Sequence, residues 1–443
     1  MRLDAKIYSK EVLFMEIRRE NYLKKLIDRR KNGLVKVITG IRRCGKSYLL
    51  NTIFYNYLLE NGTDEKHIIC FAFDSADDLS LIGENLIELQ KKNRKVNPEK
   101  FIAYINTKIS NDADYFLLLD EVQLLDCFES VLNGYLRKAN LDVYVTGSNA
   151  KFLSKDIITE FSGRGDEIHM WPLSFKEFMS VYQGDKYDGL SEYMLYGGIP
   201  LVVLANEQNS KAQILKNLFD EIYITDIMRR HKIKKQSEIE DLLNILSSSV
   251  GSLTNPEKLK NTFRSVKKSD ITAMTVKKYI DYLEDSFLIE GSRRYDVKGK
   301  AYIETPLKFY FSDFGLRNAR LNFRQFEMTH AMENVIYNEL RIRGYNVDVG
   351  VVPISTKDSS GKSIRKQLEI DFVCNLGSQR LYIQSAYSIP NAEKNAQEIR
   401  PFLKVDDSFK KIVISGNIVP KQFDENGILT MSVYDFLLND EVL

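Results

Sequence analysis

The chain has 443 residues, 44% hydrophobic and 28% charged, with a formal net charge of +2. Such a length suits roughly two to four domains with sizeable cores, and no low-complexity tract interrupts it. The near-neutral balance excludes binding to a polyanion by bulk charge alone, so any nucleic-acid face must arise from local clustering.

The four cysteines, Cys44, Cys70, Cys127 and Cys374, are scattered and show no C-x-x-C spacing, which points to a reduced, cytosolic compartment. The four histidines are equally dispersed, so no zinc site is expected. No stretch of about 18 apolar residues occurs. The expectation is a soluble protein that is neither exported nor membrane-bound.

Residues 1–33 are charged and helical in pattern, with Tyr22, Leu23, Leu26 and Ile27 on one stripe. A strand-like run, Leu34–Thr39, then leads into Gly40-Ile41-Arg42-Arg43-Cys44-Gly45-Lys46-Ser47, and a helix-like run follows from Tyr48. The pattern G-x-x-x-x-G-K-[ST] between a strand and a helix is a phosphate-binding loop. Its glycines let the backbone approach phosphate closely, and its N–H groups face the anion at a helix N-terminus. Lys46 is expected to reach the β/γ-phosphates and Ser47 to ligate Mg²⁺. The apolar run Tyr115–Leu119 ends in Asp120-Glu121. Asp120 stands where a second Mg²⁺-linked carboxylate is needed, and Glu121 is the candidate to orient or deprotonate the attacking water.

Strands are expected over 34–39, 68–73, 115–120, 142–147 and 167–171, alternating with helices, as in a parallel sheet covered on both faces. Asp74, Asp120 and Thr146-Gly147-Ser148-Asn149 follow strand ends on one edge, where open α/β sheets bind ligands. Ser148 or Asn149 could contact the γ-phosphate or the water; an Asx-type turn after a strand explains them equally well.

Beyond 172 the pattern turns helical over 173–183, 189–196, 208–230 and 236–249, broken by Gly197-Gly198-Ile199-Pro200. Residues 251–312 read as a winged helix. Helix 256–266 and a second helix N-capped at Thr275 precede strand-like segments 287–295 and 302–311. Residues 251–300 hold eleven Lys/Arg against seven Asp/Glu. Lys267, Lys268, Thr275, Lys277 and Lys278 are the candidates to meet duplex DNA, although a solvated lysine-rich helix face fits as well. A helix at 329–343, strands near 346–351, 368–375 and 380–386, a helix over 391–403 and strands 410–415 and 429–433 suggest a further small α/β domain. The expected division is 1–172, 173–250, 251–325 and 326–443.

With these motifs in place, the chain resembles the bacterial and archaeal AAA+-like P-loop ATPases with a winged helix and a C-terminal domain of unknown function. The resemblance rests on the phosphate loop, Leu118-Leu-Asp-Glu-Val-Gln123, Thr146-Gly-Ser-Asn149, Gly163-Arg164, Pro172-Leu-Ser-Phe-Lys-Glu-Phe178, Tyr196-Gly-Gly-Ile-Pro200 and Thr275-Val-Lys-Lys-Tyr-Ile280. It implies an α/β fold: an AAA+-type parallel sheet domain, a helical and winged-helix region, and a small nuclease-like α/β domain. It also implies ATP as the nucleotide, a sensor at Ser148 or Asn149, a homo-oligomer, and an arginine supplied across a subunit interface, for which Arg164 is the candidate.

The resemblance extends to the PD-(D/E)xK nuclease fold at the C-terminus. There Glu333 or Glu339, Asp371 and Gln384 fit metal-site positions, but Ala386 stands where the lysine belongs. Without that charge the reaction is not expected. Three functions remain open from sequence: an ATP-hydrolysing switch or motor, a nucleotide-gated DNA-binding regulator with negligible turnover, and a scaffold docking a protein client.

Overall fold

The computed structural model describes residues 17–147, 163–267, 270–357 and 362–440. Five strands, β1 (Val35–Thr39), β2 (Ile68–Ala72), β3 (Tyr115–Asp120), β4 (Leu141–Thr146) and β5 (Gly165–His169), form one parallel sheet in the order β2-β3-β4-β1-β5. Every residue of β1, β3 and β4 is buried, as befits a sheet covered on both faces. The period of two divides their side chains. Val35, Val37, Leu117, Leu119, Val143 and Val145 join one core, and Ile38, Phe116, Leu118 and Tyr144 join the other. Lys36 interrupts the apolar run of β1 but pairs with Asp142 of β4, so its buried charge has a partner.

The expected fifth strand, 167–171, begins and ends two residues earlier. Met170 leaves the strand because it packs over the phosphate loop. The expected helix 208–230 is a chain of three stretches, Gln208–Asn217, a π-type turn Leu218–Ile224, and Thr225–His231. Thr272, not Thr275, caps helix Ala273–Asp285. Its hydroxyl accepts the Thr275 N–H at 3.1 Å, which places Thr275 inside the first turn.

The expected wing is the hairpin β6 (Ile289–Asp296) and β7 (Ala301–Phe311). It does not stand free. β6 also pairs in parallel with β8 (Asn346–Lys357), through Arg294↔Val349 and Asp296↔Val351. β8 continues into β9 (Ser363–Leu376), β10 (Gln379–Ala386), β11 (Lys410–Ser415), β12 (Gln422–Phe423) and β13 (Leu429–Ser432). The result is one eight-stranded mixed sheet, β12-β13-β11-β10-β9-β8-β6-β7. Residues on both sides of 325 therefore share a sheet, and helix Met328–Ile342 packs on one of its faces.

A buried ionic cluster fastens that junction. Lys308 of β7 places Nζ 3.0 Å from Glu333 of the helix, and 2.8 Å and 3.8 Å from Glu369 and Asp371 of β9. Tyr310 donates to Glu333 at 2.8 Å, and the Ser385 N–H donates to Asp371 at 2.8 Å. Burial works against the Lys308 charge, but the three carboxylates outweigh it and raise its pKa. Burial, with Glu333 nearby, pushes Asp371 up to about 7.

Removing one partner of a buried ionic set costs about 3–5 kcal/mol. Lys308→Met is expected to lower unfolding free energy by that amount in urea titration at pH 8. Asp371 has a folded pKa above its unfolded value. Its contribution is thus full below pH 4 and is lost as pH rises through 7. Melting temperatures from pH 4 to 8 should fall more in wild type than in Asp371→Asn.

Candidate functional site

The phosphate loop follows β1 as the sequence requires. Gly40 has φ +138°, and a Cβ there would lie 2.1 Å from the Met170 carbonyl oxygen. Only glycine fits, by conformation and by space. Gly45 has φ +103° and opens the helix that starts at Lys46. Cys44 is a buried free thiol whose Sγ donates to the Met170 carbonyl at 3.4 Å, so it packs the loop down. Cys70, Cys127 and Cys374 are free thiols as well. Lys46 is buried, and its Nζ donates to the carbonyls of Gly40 at 2.9 Å and Ile41 at 3.0 Å. The ammonium is thereby curled into the loop it would hold around a phosphate.

Asp120 and Glu121 end β3 at the same sheet edge. Thr146 of β4 ties the pair together: its hydroxyl donates to Asp120 and accepts the Glu121 N–H at 3.1 Å. Asn51 Nδ2 reaches Asp120 at 3.5 Å. Glu121 has φ 53°, a left-handed turn that swings its carboxylate toward the loop. Burial raises its pKa; Lys46 opposes that rise, and Gln123 donates to the carboxylate. Asp74, after β2, is raised by burial and then by Asp120.

Of these groups Lys46, Asp74 and Glu121 face one cleft of about 610 Å³, and Asp120 lies next to Glu121, tied to it through Thr146. The polar side of the cleft carries Arg42, Lys46, Ser47, Asp74 and Glu121; Ile17, Met170, Leu173, Pro200, Leu201 and Leu204 form an apolar side. A flat base fits the second while phosphates fit the first. The donor set suits Mg²⁺ as well: the Ser47 hydroxyl and the Asp120 carboxylate are oxygen ligands of the hard type that cation takes.

Helix Thr225–His231 approaches the cleft, which the sequence alone did not disclose. Asp226 pairs with Arg230 and lies 3.8 Å from Arg42. Arg230 has its pKa lowered by burial, and it feels both Arg42 and Glu121. Its Nη1 is buried and has no hydrogen-bond partner among the described residues. A desolvated guanidinium nitrogen beside a phosphate loop is ready for an anion. The signal in the sequence was the Asp226…Arg230 spacing on a helix, which looks like any i,i+4 surface pair.

The other predicted residues are dispersed. Arg164 is exposed and precedes β5, with its carbonyl accepting from Val35 N–H at 2.9 Å; that is the sheet edge opposite the phosphate loop. Ser148, Asn149 and Lys268 lie outside the described residues. Lys277 and Lys278 are exposed on helix Ala273–Asp285, while Val276, Tyr279, Ile280 and Leu283 bury its other side.

In the C-terminal sheet Glu333, Asp371 and Gln384 do converge: Gln384 Oε1 accepts from Asp371 N–H at 3.3 Å. Glu339 instead pairs with Arg343 at 2.7 Å. The cation among the carboxylates is Lys308, from a strand far from Ala386 in sequence. No group of three acidic, histidine or cysteine side chains among the described residues is arranged to hold a metal. No helix among them is long and apolar enough to cross a membrane.

Residues 32–179 match a family model described as an AAA domain, and residues 187–327 match a domain of unknown function (DUF8612). An uncharacterized protein of Haemophilus influenzae is 35% identical over 428 residues, covering 95% of this chain and 98% of that one. One of Methanocaldococcus jannaschii is 27% identical over 397 residues, covering 86% and 81%. Similar solved structures include the Aeropyrum pernix ORC1 protein in complex with DNA, at 11% identity and TM-score 0.34, covering 69% of this chain and 92% of that one. AMPPCP-bound DnaA from Aquifex aeolicus is another, at 17% identity and TM-score 0.30, covering 59% and 85%. The chain belongs to the family of the Haemophilus influenzae protein, and the phosphate loop and Asp120-Glu121 lie in its AAA domain.

Proposed function

We propose that the chain is a Mg²⁺-dependent ATPase whose nucleotide state sets the position of the helical region and the eight-stranded sheet, with duplex DNA as the coupled partner. The observation that carries the reading is the placement of Lys46, Ser47 and Glu121 in one cleft, with Asp120 next to Glu121 and Thr146 fixing the two acidic residues. Lys46 and the loop N–H groups bind the phosphates. Ser47 and Asp120 would hold Mg²⁺, which neutralises phosphate charge when bound. Glu121 orients water and accepts its proton; desolvation and the left-handed turn suit it to that role. Arg230 would supply the positive charge that stabilises the transition state from within the chain, and Arg164 would do so only across a subunit interface.

The coupling has a physical route. Helix Thr225–His231 carries Arg230 at the cleft, and its last residue, His231, stacks on Tyr282 at 3.6 Å between ring centres. Tyr282 lies on helix Ala273–Asp285, with Lys277 and Lys278 exposed one turn earlier. A shift of the first helix on nucleotide binding would therefore be felt by the second.

Steady-state ATP hydrolysis with and without duplex DNA tests this. Lys46→Ala should lose nucleotide binding and turnover; Glu121→Gln should keep binding and lose turnover. Arg230→Ala is expected to slow turnover by about 10³-fold. DNA should stimulate wild type. Turnover indifferent to DNA would point to a protein client, and ATP binding without turnover would overturn the ATPase reading in favour of a nucleotide-gated scaffold.

Thr146 touches no reacting atom but positions both carboxylates. Thr146→Val should lower kcat by about 10–100-fold, with nucleotide affinity in equilibrium titration little changed. An affinity loss as large as the rate loss would show a merely structural role.

A further inference from the structure

A second cleft, of about 500 Å³, opens where β6 and β8 splay apart, far from the nucleotide loop in sequence. Its walls carry Arg293, Tyr295, Tyr302, Asp348 and Arg380. The aromatic and cationic groups form a continuous ladder. Tyr302 meets Tyr295 edge to face at 5.4 Å. The Arg380 guanidinium then lies over Tyr295 at 5.3 Å and over Phe409 at 5.2 Å.

Two rings of this ladder face solvent to an unusual degree, Tyr302 at 58% and Phe409 at 39%. Tyr302 is also held in place, since its hydroxyl donates to Asp348 at 3.2 Å.

The local charge favours an anion. Asp348 is engaged by Tyr302 and attracted by Arg293, Arg341 and Arg380. Of the other carboxylates nearby, Glu290 is paired with Arg341 at 2.8 Å, and Asp407 accepts from the Tyr382 hydroxyl at 2.6 Å and from the Phe409 N–H at 3.3 Å. On the β6–β7 turn Asp296 accepts the N–H groups of Lys298 and Gly299, and the ammonium groups of Lys298 and Lys300 extend into solvent at the rim.

We infer that this cleft binds single-stranded nucleic acid, with a base stacking on Tyr302 in the cleft, another on Phe409 outside it beyond Arg380, and phosphates drawn to Arg293, Lys298 and Lys300. A ring-and-guanidinium ladder fits unpaired bases, because every base offers a π-face to it. A duplex keeps those faces inside its stack. An acidic peptide would use the guanidinia and leave the rings unused. The site is separate from the helix that presents Lys277 and Lys278, and its occupancy does not require ATP turnover.

The test is fluorescence anisotropy of labelled oligo-dT, and of a duplex of equal length, on the full chain without nucleotide. Single strands should bind more tightly than duplex, with affinity falling as salt rises. Tyr302→Ala should weaken oligo-dT binding by roughly 10-fold or more, the lower range of base–aromatic stacking. Arg293→Glu should weaken it and flatten the salt dependence. Lys277→Ala with Lys278→Ala should leave it unchanged. Melting curves check folding, and Phe409→Ala takes the place of Tyr302→Ala should the latter not fold.

Oligo-dT binding that is indifferent to both the ring and Arg293 substitutions overturns the inference. So does duplex binding as tight as oligo-dT binding once Lys277 and Lys278 are both replaced by alanine. Polyglutamate competing as well as oligo-dT would reassign the cleft to an acidic peptide. A failure of ATP hydrolysis would leave all of these readings intact, so the two proposals fail separately.

Discussion

The buried carboxylate of Asp313 holds the nucleotide-binding half of the molecule to the half that carries the eight-stranded sheet. It sits just after β7 and caps helix Phe314–Arg320, accepting the Leu316 N–H at 3.1 Å. It also accepts the Gly198 N–H at 2.7 Å, across a large gap in sequence. The segment it grips, Tyr196–Pro200, passes so close that side chains are excluded. A Cβ on Gly197 would lie 2.1 Å from Asp313, one on Gly198 2.3 Å from the Leu173 carbonyl, and one on Gly315 2.1 Å from the Tyr196 carbonyl. Asn318, on the same helix, closes the joint by donating to the carbonyls of Met194 and Leu195. Burial pushes Asp313 up to about 6 despite these backbone donors, which marks how fully the carboxylate is withdrawn from water. Pro200, the last residue of the gripped segment, then lines the nucleotide cleft and approaches Gly45.

That joint explains which parts of the chain were legible in its sequence. The parallel sheet was legible because its strands are short, apolar and bounded by the phosphate loop and the Asp120-Glu121 pair, all local signals. Strand limits moved by a residue or two, where a residue such as Met170 serves the loop instead of the ladder. The core of the nucleotide site was legible for the same reason: Gly40, Gly45, Lys46, Ser47, Asp120 and Glu121 come from two contiguous motifs that a parallel sheet must bring to one edge. Gly197-Gly198 read only as a helix break, since the groups that crowd them come from elsewhere in the fold: Leu173 at Gly198, and at Gly197 the Asp313 carboxylate, more than a hundred residues onward.

Arg230 and Lys308 were illegible on other grounds. Each is an ordinary basic residue in its local pattern, and its meaning comes from what the tertiary fold sets beside it. Near Gln384 in sequence, Ala386 stands where a lysine would be needed. The ammonium arrives instead on β7, because the hairpin that looked like a free wing joins the C-terminal sheet through β6 and β8. Three carboxylates around one lysine make a filled, largely dehydrated cluster. It ties the hairpin to helix Met328–Ile342 and to β9, with the ammonium opposing the carboxylate charge.

The nucleotide site therefore meets the rest of the chain at three places with different physics. The Asp313 joint is made of hydrogen bonds to backbone, short and directional, and behaves as a fixed pivot. The Arg230 helix is polar at the cleft, where one guanidinium nitrogen still lacks a partner, so its energy depends on what occupies the cleft. The third contact runs through β5. Thr39, the residue before Gly40, donates to Glu167 at 2.6 Å and lies 3.2 Å from the His169 ring, which packs on Phe287 at 4.8 Å, between helix Ala273–Asp285 and β6. Burial lowers the His169 pKa to about 3, so this contact stays neutral and is a matter of packing. Of the three contacts, the Arg230 helix is the one whose charge stands beside the cleft, so an anion there would act directly on it. The Asp313 hydrogen bonds and the neutral His169 seam lie outside its immediate reach.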